Sequence, residues 1–176
     1  DLPDIGVEFH TGFNGTNEDG EGIFLPYLRD ENLVRPWAIP GTPGLMHRIG
    51  GIEKEDGTGN ISYDPANHQK MIDLRQAKVA GIDVPDAEIT GDQDAELCML
   101  GWGSTWGAID AAVIRLQKAG HKAAQVHLRH LNPLPNNLGE VLSRFDKVIV
   151  PEMNMGQLVQ LVRAKYLIDA KPVSKI

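Results

Sequence analysis

Cysteine is almost missing from this chain of 176 residues, which contains one, Cys98. A single thiol excludes a disulfide framework within the chain, and it excludes an iron–sulfur cluster held by four of the chain's own thiolates. Cys98 stands in the apolar run of residues 97–100, so we expect a buried, inert thiol rather than a nucleophile. Small disulfide scaffolds and self-contained iron–sulfur proteins are thereby excluded.

Long hydrophobic runs are also missing. No apolar stretch approaches the roughly 20 residues that a membrane-spanning helix needs. The chain begins at Asp1, with neither a methionine nor a basic and apolar leader. Its composition, 41% hydrophobic and 23% charged, is that of an ordinary globular protein. We therefore expect a cytoplasmic chain without membrane contact, and we interpret it as a piece excised from a longer protein.

Aromatic residues are scarce, at 6%, and the net charge of −7 is unevenly distributed. Residues 1–60 carry all of it, with 11 acidic and four basic residues, whereas residues 97–176 contain 10 basic and five acidic residues. No basic face is interleaved with aromatic residues that stack on bases, so the pattern argues against a nucleic-acid partner. A solvated surface of mixed charge is the simpler interpretation.

The first third of the chain is rich in proline and glycine, which predicts an extended arm. Residues 35–44 contain three prolines, and each removes a backbone donor and favours extended geometry before it. We expect residues 1–62 to be this arm together with the tail of a preceding domain, with Trp37 and Ile39 contacting another surface. Asp64 and Pro65 then predict the start of a connecting helix within residues 63–81.

Residues 82–176 alternate short apolar runs with segments of helical periodicity. The alternation predicts an α/β domain of three layers, in which helices cover both faces of a parallel sheet joined by right-handed crossovers. A short strand near residues 87–90 precedes the regular pattern, and Pro172 interrupts the last strand. The main predicted strands are residues 97–100, 123–128, 148–150 and 168–173, and the helices between them run to about Ala119, Phe145 and Ala164.

A glycine-rich turn at residues 101–107 joins the first of these strands to its helix, at the kind of position where βαβ units bind ligands. Gly101 and Gly103 permit the close approach of an anion, and Ser104 or Thr105 is expected to cap the helix. These four residues form the candidate anion-binding turn.

The spacing of this turn argues against a dinucleotide site. Trp106 stands where the dinucleotide fingerprint has its third small residue, and Arg129 stands where an acidic residue is expected after the second strand. Ser104 is one residue out of register with a Gly-x-Ser-x-Gly elbow. His127 and His130 lie in a strand and in the turn after it, so we expect no metal site.

Polar residues also follow the other strands. Glu152 and Asn154 end the third strand and Arg129 follows the second, so all three are expected at the same edge of the sheet as the glycine turn. Asn154 is predicted to cap the last helix. The predicted partner-contact residues are Trp37, Ile39, Trp102, Trp106 and Asn154.

Five motifs are distinctive: Phe24-Leu25-Pro26-Tyr27-Leu28-Arg29-Asp30, residues 35–44, His47-Arg48-Ile49-Gly50-Gly51, Gly101-Trp102-Gly103-Ser104-Thr105 and residues 151–158. Together they resemble one known family, the alpha subunits of 2-oxoacid:ferredoxin oxidoreductases, and among them the 2-oxoglutarate type. The resemblance is to the C-terminal part of that subunit and covers nearly the whole chain. It implies that residues 82–176 have the fold of a transketolase C-terminal domain.

The resemblance implies the oxidative decarboxylation of 2-oxoglutarate with coenzyme A to succinyl-coenzyme A, with reduction of ferredoxin. Thiamine diphosphate, magnesium and an iron–sulfur cluster are implied for the complex, with the diphosphate and cluster ligands on the beta subunit. The implied partners are that beta subunit, the upstream domains of the alpha subunit, and ferredoxin. The chain itself is expected to be a non-catalytic scaffold that holds no cofactor. Two alternatives are a nucleotide- or coenzyme A-binding module that uses the 101–107 turn, and a free-standing interaction domain.

Overall fold

A computed structural model of the chain describes residues 24–175. The chain divides into two compact units, one that ends at Gly81 and one that begins at Ile82. The first 23 residues of the predicted arm lie outside the described residues. Among residues 24–175, no helix combines the length and the apolar character that crossing a bilayer requires.

The front unit has little regular structure before its helix. From residue 24 to residue 64 the backbone forms turns and two isolated antiparallel bridges, Tyr27 with Gly57 and Lys54 with Ile61. Polar contacts hold these turns together. The largely buried Arg29 side chain pairs with Asp56 at 2.8 Å. This is the pattern expected of a proline- and glycine-rich segment, because each proline removes a donor that a strand ladder would use.

Helix α1, Pro65–Ala80, closes the front unit. The Asp64 carboxylate accepts hydrogen bonds from the amides of Ala66 and Asn67 at the start of the helix, and Gly81 ends it. The aspartate cap and the proline in the first turn, both expected from the sequence, are therefore present. Met71 is the fully buried residue of this helix.

The second unit contains the sheet. A tight turn at Gly103–Thr105 joins β2 to α2, and three residues likewise join α3 to β4. The elements are β1 (Ile89–Gly91), β2 (Leu97–Trp102), α2 (Trp106–Lys118), β3 (Ala123–Leu128), α3 (Leu138–Ser143), β4 (Lys147–Glu152), α4 (Gln157–Tyr166) and β5 (Lys171–Ser174).

The five strands form one sheet in the order β1-β3-β2-β4-β5. The pairs β2–β3, β2–β4 and β4–β5 are parallel, whereas β1 pairs antiparallel with β3 at one edge. The predicted α/β class is confirmed, and the sheet is mainly parallel. The antiparallel edge strand departs from the prediction of a wholly parallel sheet, because a three-residue strand before the first crossover is free to pair in either direction.

Helices cover both faces of the sheet, as the three-layer prediction required. On one face α3 and α4 pack against alternate residues of the strands, among them Cys98, Leu100 and Val150. On the other face Ile109 and Val113 of α2 pack with Ala123. Side chains in a strand alternate between the two faces, so β2 contributes to both cores.

The crossovers place a crevice between β2 and β4. The chain moves from β2 to β3 on one side and from β4 to β5 on the other, so the helices after these two adjacent strands lie on opposite faces. The β2–β4 ladder ends at the pair Met99 and Ile149, although both strands continue for three more residues. The carboxyl ends of the two strands therefore separate, and this is where ligands bind in many open α/β sheets.

Candidate functional site

The crevice at the carboxyl ends of β2 and β4 contains several of the residues singled out in the sequence. Its volume is about 240 Å³. One wall is the turn after β2, which includes Ser104, and the other is the loop after β4, which includes Met153 and Asn154. The sequence analysis expected these two segments at one edge of the sheet, and the structure brings them together.

Glu152 occupies the base of the loop after β4, and its side chain is buried. Its carboxylate oxygens accept hydrogen bonds from the amides of Leu158 at 2.9 Å and Val159 at 3.1 Å, in the first turn of α4. The indole Nε1 of Trp102 donates to Oε1 across the crevice at 3.3 Å, and the Asn154 side chain donates to the same oxygen at 3.1 Å. A helix N-terminus stabilises negative charge, so the buried carboxylate caps α4.

Asn154 holds the loop in shape. Its Oδ1 accepts from the amide of Gly156 at 2.7 Å and from that of Gln157, the first residue of α4, at 3.0 Å. Asn154 therefore does bind the start of α4, as predicted, but Glu152 caps the following two amides. Four donors already bind the Glu152 carboxylate, and two backbone amides already bind the Asn154 oxygen. Ligand binding by either group would have to displace these hydrogen bonds.

Gly101 is buried beneath helix α2 and does not face the crevice. A Cβ at this position would lie 2.3 Å from Cδ1 of Ile109 and 3.2 Å from Oγ1 of Thr105. The glycine is thus needed so that α2 can pack closely on β2, and close packing of a helix on a strand is a known role of glycine in βα turns. The expectation that Gly101 gives access to an anion does not fit this position.

Gly103 and Ser104 are exposed in the turn itself. Gly103 has φ +59°, a left-handed conformation that favours glycine. Thr105 Oγ1 donates to the carbonyl of Trp102 at 2.7 Å and accepts from its amide at 3.3 Å, so it closes the turn. No side chain caps the start of α2, contrary to the expectation for Ser104 or Thr105. The Thr105 hydroxyl binds the backbone of Trp102, which precedes it, and not an amide of the helix.

The predicted contact residues differ in exposure. Trp106, the first residue of α2, is 52% exposed, and in the front unit Trp37 is 56% and Ile39 50% exposed. Trp102 is half-buried and bonded to Glu152. Two further apolar side chains, Met153 and Met155, are 69% and 80% exposed after β4, and the sequence analysis had not singled them out. Exposed large apolar side chains of this kind are candidates for contact with another domain or subunit.

Comparison with known proteins agrees with the resemblance found in the motifs. Residues 95–176 match the family model of the pyruvate:ferredoxin oxidoreductase core domain II. The subunit KorA of a 2-oxoglutarate oxidoreductase from Mycobacterium tuberculosis is 57% identical over 157 residues, which are 87% of this chain and 24% of that protein. The alpha subunit of 2-oxoacid:ferredoxin oxidoreductase 1 from Aeropyrum pernix is 37% identical over 80% of this chain and 23% of its own length.

A solved structure shows the same fold. The 2-oxoglutarate:ferredoxin oxidoreductase from Magnetococcus marinus, determined with 2-oxoglutarate, coenzyme A and succinyl-CoA bound, superposes with a TM-score of 0.78 at 33% identity, over 89% of this chain and 28% of that one. The chain belongs to the family of 2-oxoacid:ferredoxin oxidoreductase alpha subunits. It spans about a quarter of the length of the M. tuberculosis and A. pernix relatives.

The chemistry available on this alpha-subunit segment is limited. Burial raises the pKa of the Cys98 thiol to about 12, so the thiol is protonated at neutral pH and is a poor nucleophile or metal ligand. Within residues 24–175 no three His, Cys, Asp or Glu side chains are grouped as a metal ion would require.

The sequence analysis missed the structural role of Glu152, which it treated as one of the polar residues at the edge of the sheet where the strands end. The carboxylate binds amides six and seven residues further along the chain, beyond the reach of ordinary capping motifs. One available signal was the position of a glutamate at the end of a buried strand, shortly before a helix that lacks a conventional Ser, Thr or Asp at its first position.

Proposed function

We propose that this chain is the C-terminal part of the alpha subunit of a 2-oxoglutarate:ferredoxin oxidoreductase. The reaction of the whole enzyme is the oxidative decarboxylation of 2-oxoglutarate with coenzyme A to succinyl-coenzyme A, with transfer of electrons to ferredoxin. The observation that carries the proposal is the 57% identity to the M. tuberculosis 2-oxoglutarate oxidoreductase subunit. The choice of 2-oxoglutarate over other 2-oxoacids rests on that relative and on the M. marinus structure.

Within this enzyme the segment acts as a scaffold and contact domain, and it takes no part in bond making. The buried groups that carry charge or reactivity are used internally, because Glu152 binds four donors and the Cys98 thiol stays protonated. Large apolar side chains are exposed after β2 and β4, namely Met153 in the wall of the crevice, Met155 in the same loop and Trp106 at the start of α2. A surface of this kind suits packing against another domain or subunit.

The cofactors of the reaction are assigned elsewhere in the complex. Thiamine diphosphate supplies the electron sink for decarboxylation when it is bound, and it needs a divalent ion beside its diphosphate. The described residues contain no acidic cluster for that ion, and the single thiol does not fit a four-thiolate cluster. In line with the family resemblance, the proposal places both groups on the beta subunit, with the upstream alpha domains and ferredoxin as the other partners, in the cytoplasm.

An activity assay tests the scaffold assignment. The purified chain should show no 2-oxoglutarate-dependent reduction of viologen, whereas the complete enzyme that contains this sequence should show it. The same complete enzyme should prefer 2-oxoglutarate to pyruvate. Turnover by the chain without a beta subunit contradicts the scaffold role, and a preference for pyruvate contradicts the substrate assignment.

Variants in the exposed apolar group test the contact role. Trp106→Ala and Met153→Ala should weaken the association of the alpha and beta subunits or lower the melting temperature of the complex, because packed aromatic and methionine side chains dominate such contacts. Ile114→Ala is the matched control, since Ile114 is an exposed apolar residue of the same helix as Trp106. Equal effects of Trp106→Ala and Ile114→Ala contradict a contact role for Trp106.

The 101–107 turn also favours a second candidate function, the binding of a nucleotide or coenzyme A. The specific observation is the turn Gly103–Thr105, which lines the crevice and leads directly into α2, a helix whose start has no side-chain cap. Free helix amides attract anions. Calorimetric titration of the chain with NADPH and with coenzyme A tests this candidate: heat of binding that is lost in Gly103→Ala supports it, and no heat in either titration removes it.

A further inference from the structure

A cleft of about 320 Å³ lies on the other side of Trp106, within the second unit. This volume is at the lower end of the range for small-molecule sites, which is about 300 to 1,000 Å³. One wall is the segment before and within β1, and the other is the chain just after β3. The lining residues used below are Asp86, Glu88, His127, Arg129 and His130.

The wall before β1 is held in place by a clamp. The amide of Ala87 donates to Asn137 Oδ1 at 2.8 Å, and Asn137 Nδ2 donates back to the carbonyl of Ala87 at 3.0 Å. Directly after this point, β1 pairs with β3 from Ile89 to Gly91. The two walls therefore have a fixed separation that does not depend on any contact across the cleft.

The two walls carry opposite charges that do not neutralise each other. Asp86 and Glu88 are exposed on the first wall, and Arg129 and His130 are exposed on the second. Within residues 24–175, none of these four side chains forms an ion pair or a side-chain hydrogen bond, although ion pairs occur elsewhere in the molecule. The clamp and the strand pairing hold the charges apart, so both signs are available to a bound molecule.

His127 adds an uncharged polar group to the lining. Its Nδ1 atom is buried and has no hydrogen-bond partner among the described residues. Burial and the neighbouring Arg129 both lower the pKa of His127, which keeps the imidazole neutral at neutral pH. That atom lies 3.5 Å from the Cβ position of Gly101, so it faces the turn after β2, and only the rest of the ring borders the cleft.

We propose that this cleft binds a small zwitterion, an α-amino acid or a close analogue, with its ammonium group toward Asp86 and Glu88 and its carboxylate toward Arg129 and His130. A simple anion is repelled by the first wall and a simple cation by the second, so only a molecule with both charges gains from both walls. Neither the family assignment nor the crevice between β2 and β4 is needed for this inference.

Calorimetric titration of the 176-residue chain tests the proposal with matched ligands. L-alanine, L-valine and L-phenylalanine are compared with L-alanine amide, which lacks the carboxylate, and with N-acetyl-L-alanine, which lacks the ammonium group. At least one amino acid should bind with Kd near or below about 1 mM, and each L-alanine derivative should bind at least about tenfold more weakly than L-alanine. Derivatives that bind as well as L-alanine, or the absence of binding by all three amino acids, overturn the proposal.

Charge-neutralising variants locate the site. Asp86→Asn and Arg129→Gln should each weaken amino-acid binding by about tenfold, because a charge-assisted hydrogen bond is worth about 1.5 kcal/mol or more. Both side chains are exposed, so the variants should keep the far-ultraviolet circular dichroism of the parent. Glu140→Gln and Arg115→Gln are the controls, exposed residues of the same two charges that do not line the cleft. Equal loss in the control pair overturns the assignment to this cleft.

Discussion

Helices α2 and α4 begin at equivalent places, each directly after one of two neighbouring parallel strands, yet their first turns are built differently. The start of α4 is closed by side chains, because Glu152 and Asn154 bind its first amides. The start of α2 has no side-chain cap, and Thr105 instead closes the turn behind it. Gly101 and Gly103 shape that turn, one by making room and the other by its left-handed backbone.

The difference separates two uses of a helix N-terminus. At α4 the positive end of the helix dipole is compensated by a carboxylate within the protein, so this end contributes stability. At α2 the same kind of end is left to solvent beside an exposed tryptophan. Glycine is conspicuous in the sequence at α2, but the buried charge lies at α4. The glycine turn, which is conspicuous in the sequence, and the Glu152 cap, which contributes more to stability, are therefore on opposite walls of the same crevice.

The largest expected effect follows from removing the cap of α4. Glu152→Ala leaves the amides of Leu158 and Val159 and the indole of Trp102 without their acceptor, and should lower the free energy of unfolding by about 3 kcal/mol. Urea denaturation followed by circular dichroism measures it. Glu140→Gln, at an exposed glutamate, should change stability by less than about 0.5 kcal/mol. A Glu152→Ala variant as stable as this control contradicts the structural role of the carboxylate.

A smaller loss is expected when the close packing under α2 is disturbed. Gly101→Ala places a methyl group against Ile109 and should cost about 2 kcal/mol, as overpacking of a core does. The double variant with Ile109→Val should recover part of the loss, because the clashing Cδ1 atom is removed. Gly107→Ala is the control: nothing lies within 4 Å of its Cβ position, and alanine favours the helix. An additive double variant contradicts the packing explanation.

A loss of about 1 kcal/mol is expected at the turn itself. Gly103→Ala introduces a Cβ where φ is +59° but where no atom is within 4 Å, so the cost is backbone strain alone. Gly103→Asn should be cheaper than Gly103→Ala, because asparagine tolerates left-handed geometry better. Thermal unfolding of the two variants against the parent gives the ranking. Equal destabilisation by both variants indicates a steric clash instead of strain.

The smallest effect on stability is expected at Glu53. Its carboxylate is bound by the side chains of Arg75 and His68, whereas that of Glu152 is bound by backbone amides and uncharged side chains. Arg75, at 3.3 Å from both carboxylate oxygens, and His68, at 2.6 Å, lower the pKa of Glu53 from an ordinary 4.5 to about 2. Because the folded chain favours the ionised form, this contribution to stability is complete above pH 4.5 and is lost as the pH falls from 4.5 to about 2.

Substitution of the arginine tests this assignment. Arg75→Gln should raise the pKa of Glu53 toward its ordinary value, as followed by NMR titration of the carboxyl carbon. Lys78→Gln, which removes a positive charge from the same helix without touching Glu53, should leave the titration midpoint in place. Equal shifts in the two variants indicate a general field effect and contradict the specific contact with Arg75.

Local signals in the sequence predicted much of the fold. Strand β3 has the predicted bounds, because Ala123–Leu128 is a mainly apolar segment of strand length, in which only Gln125 and His127 are polar. Asp64 and Pro65 marked the start of α1 through a cap that acts over two and three residues. The α/β class followed from the alternation of such elements, and the family from the motifs. Each of these signals lies within a short stretch of chain.

The parts that were not predicted depend on distance in the sequence. The bond from Trp102 to Glu152 spans 50 residues and the clamp between Ala87 and Asn137 spans 50 as well, so no local pattern announces either. The space under Gly101 is determined by Ile109, whose position depends on how α2 packs. Contact and anion roles for the exposed residues stay predictions, since exposure shows that a surface is available and does not show what covers it.

Strand β5 has a consequence for the behaviour of the chain in solution. It is a fully exposed edge of the sheet, and such edges are templates on which further chains polymerise. Pro172 in its middle has no amide hydrogen to offer, and Lys171 and Lys175 add like charges that repel a second copy. The sheet can therefore end at this strand without seeding fibrils, even though the four residues of the strand are all exposed among the described residues of the second unit.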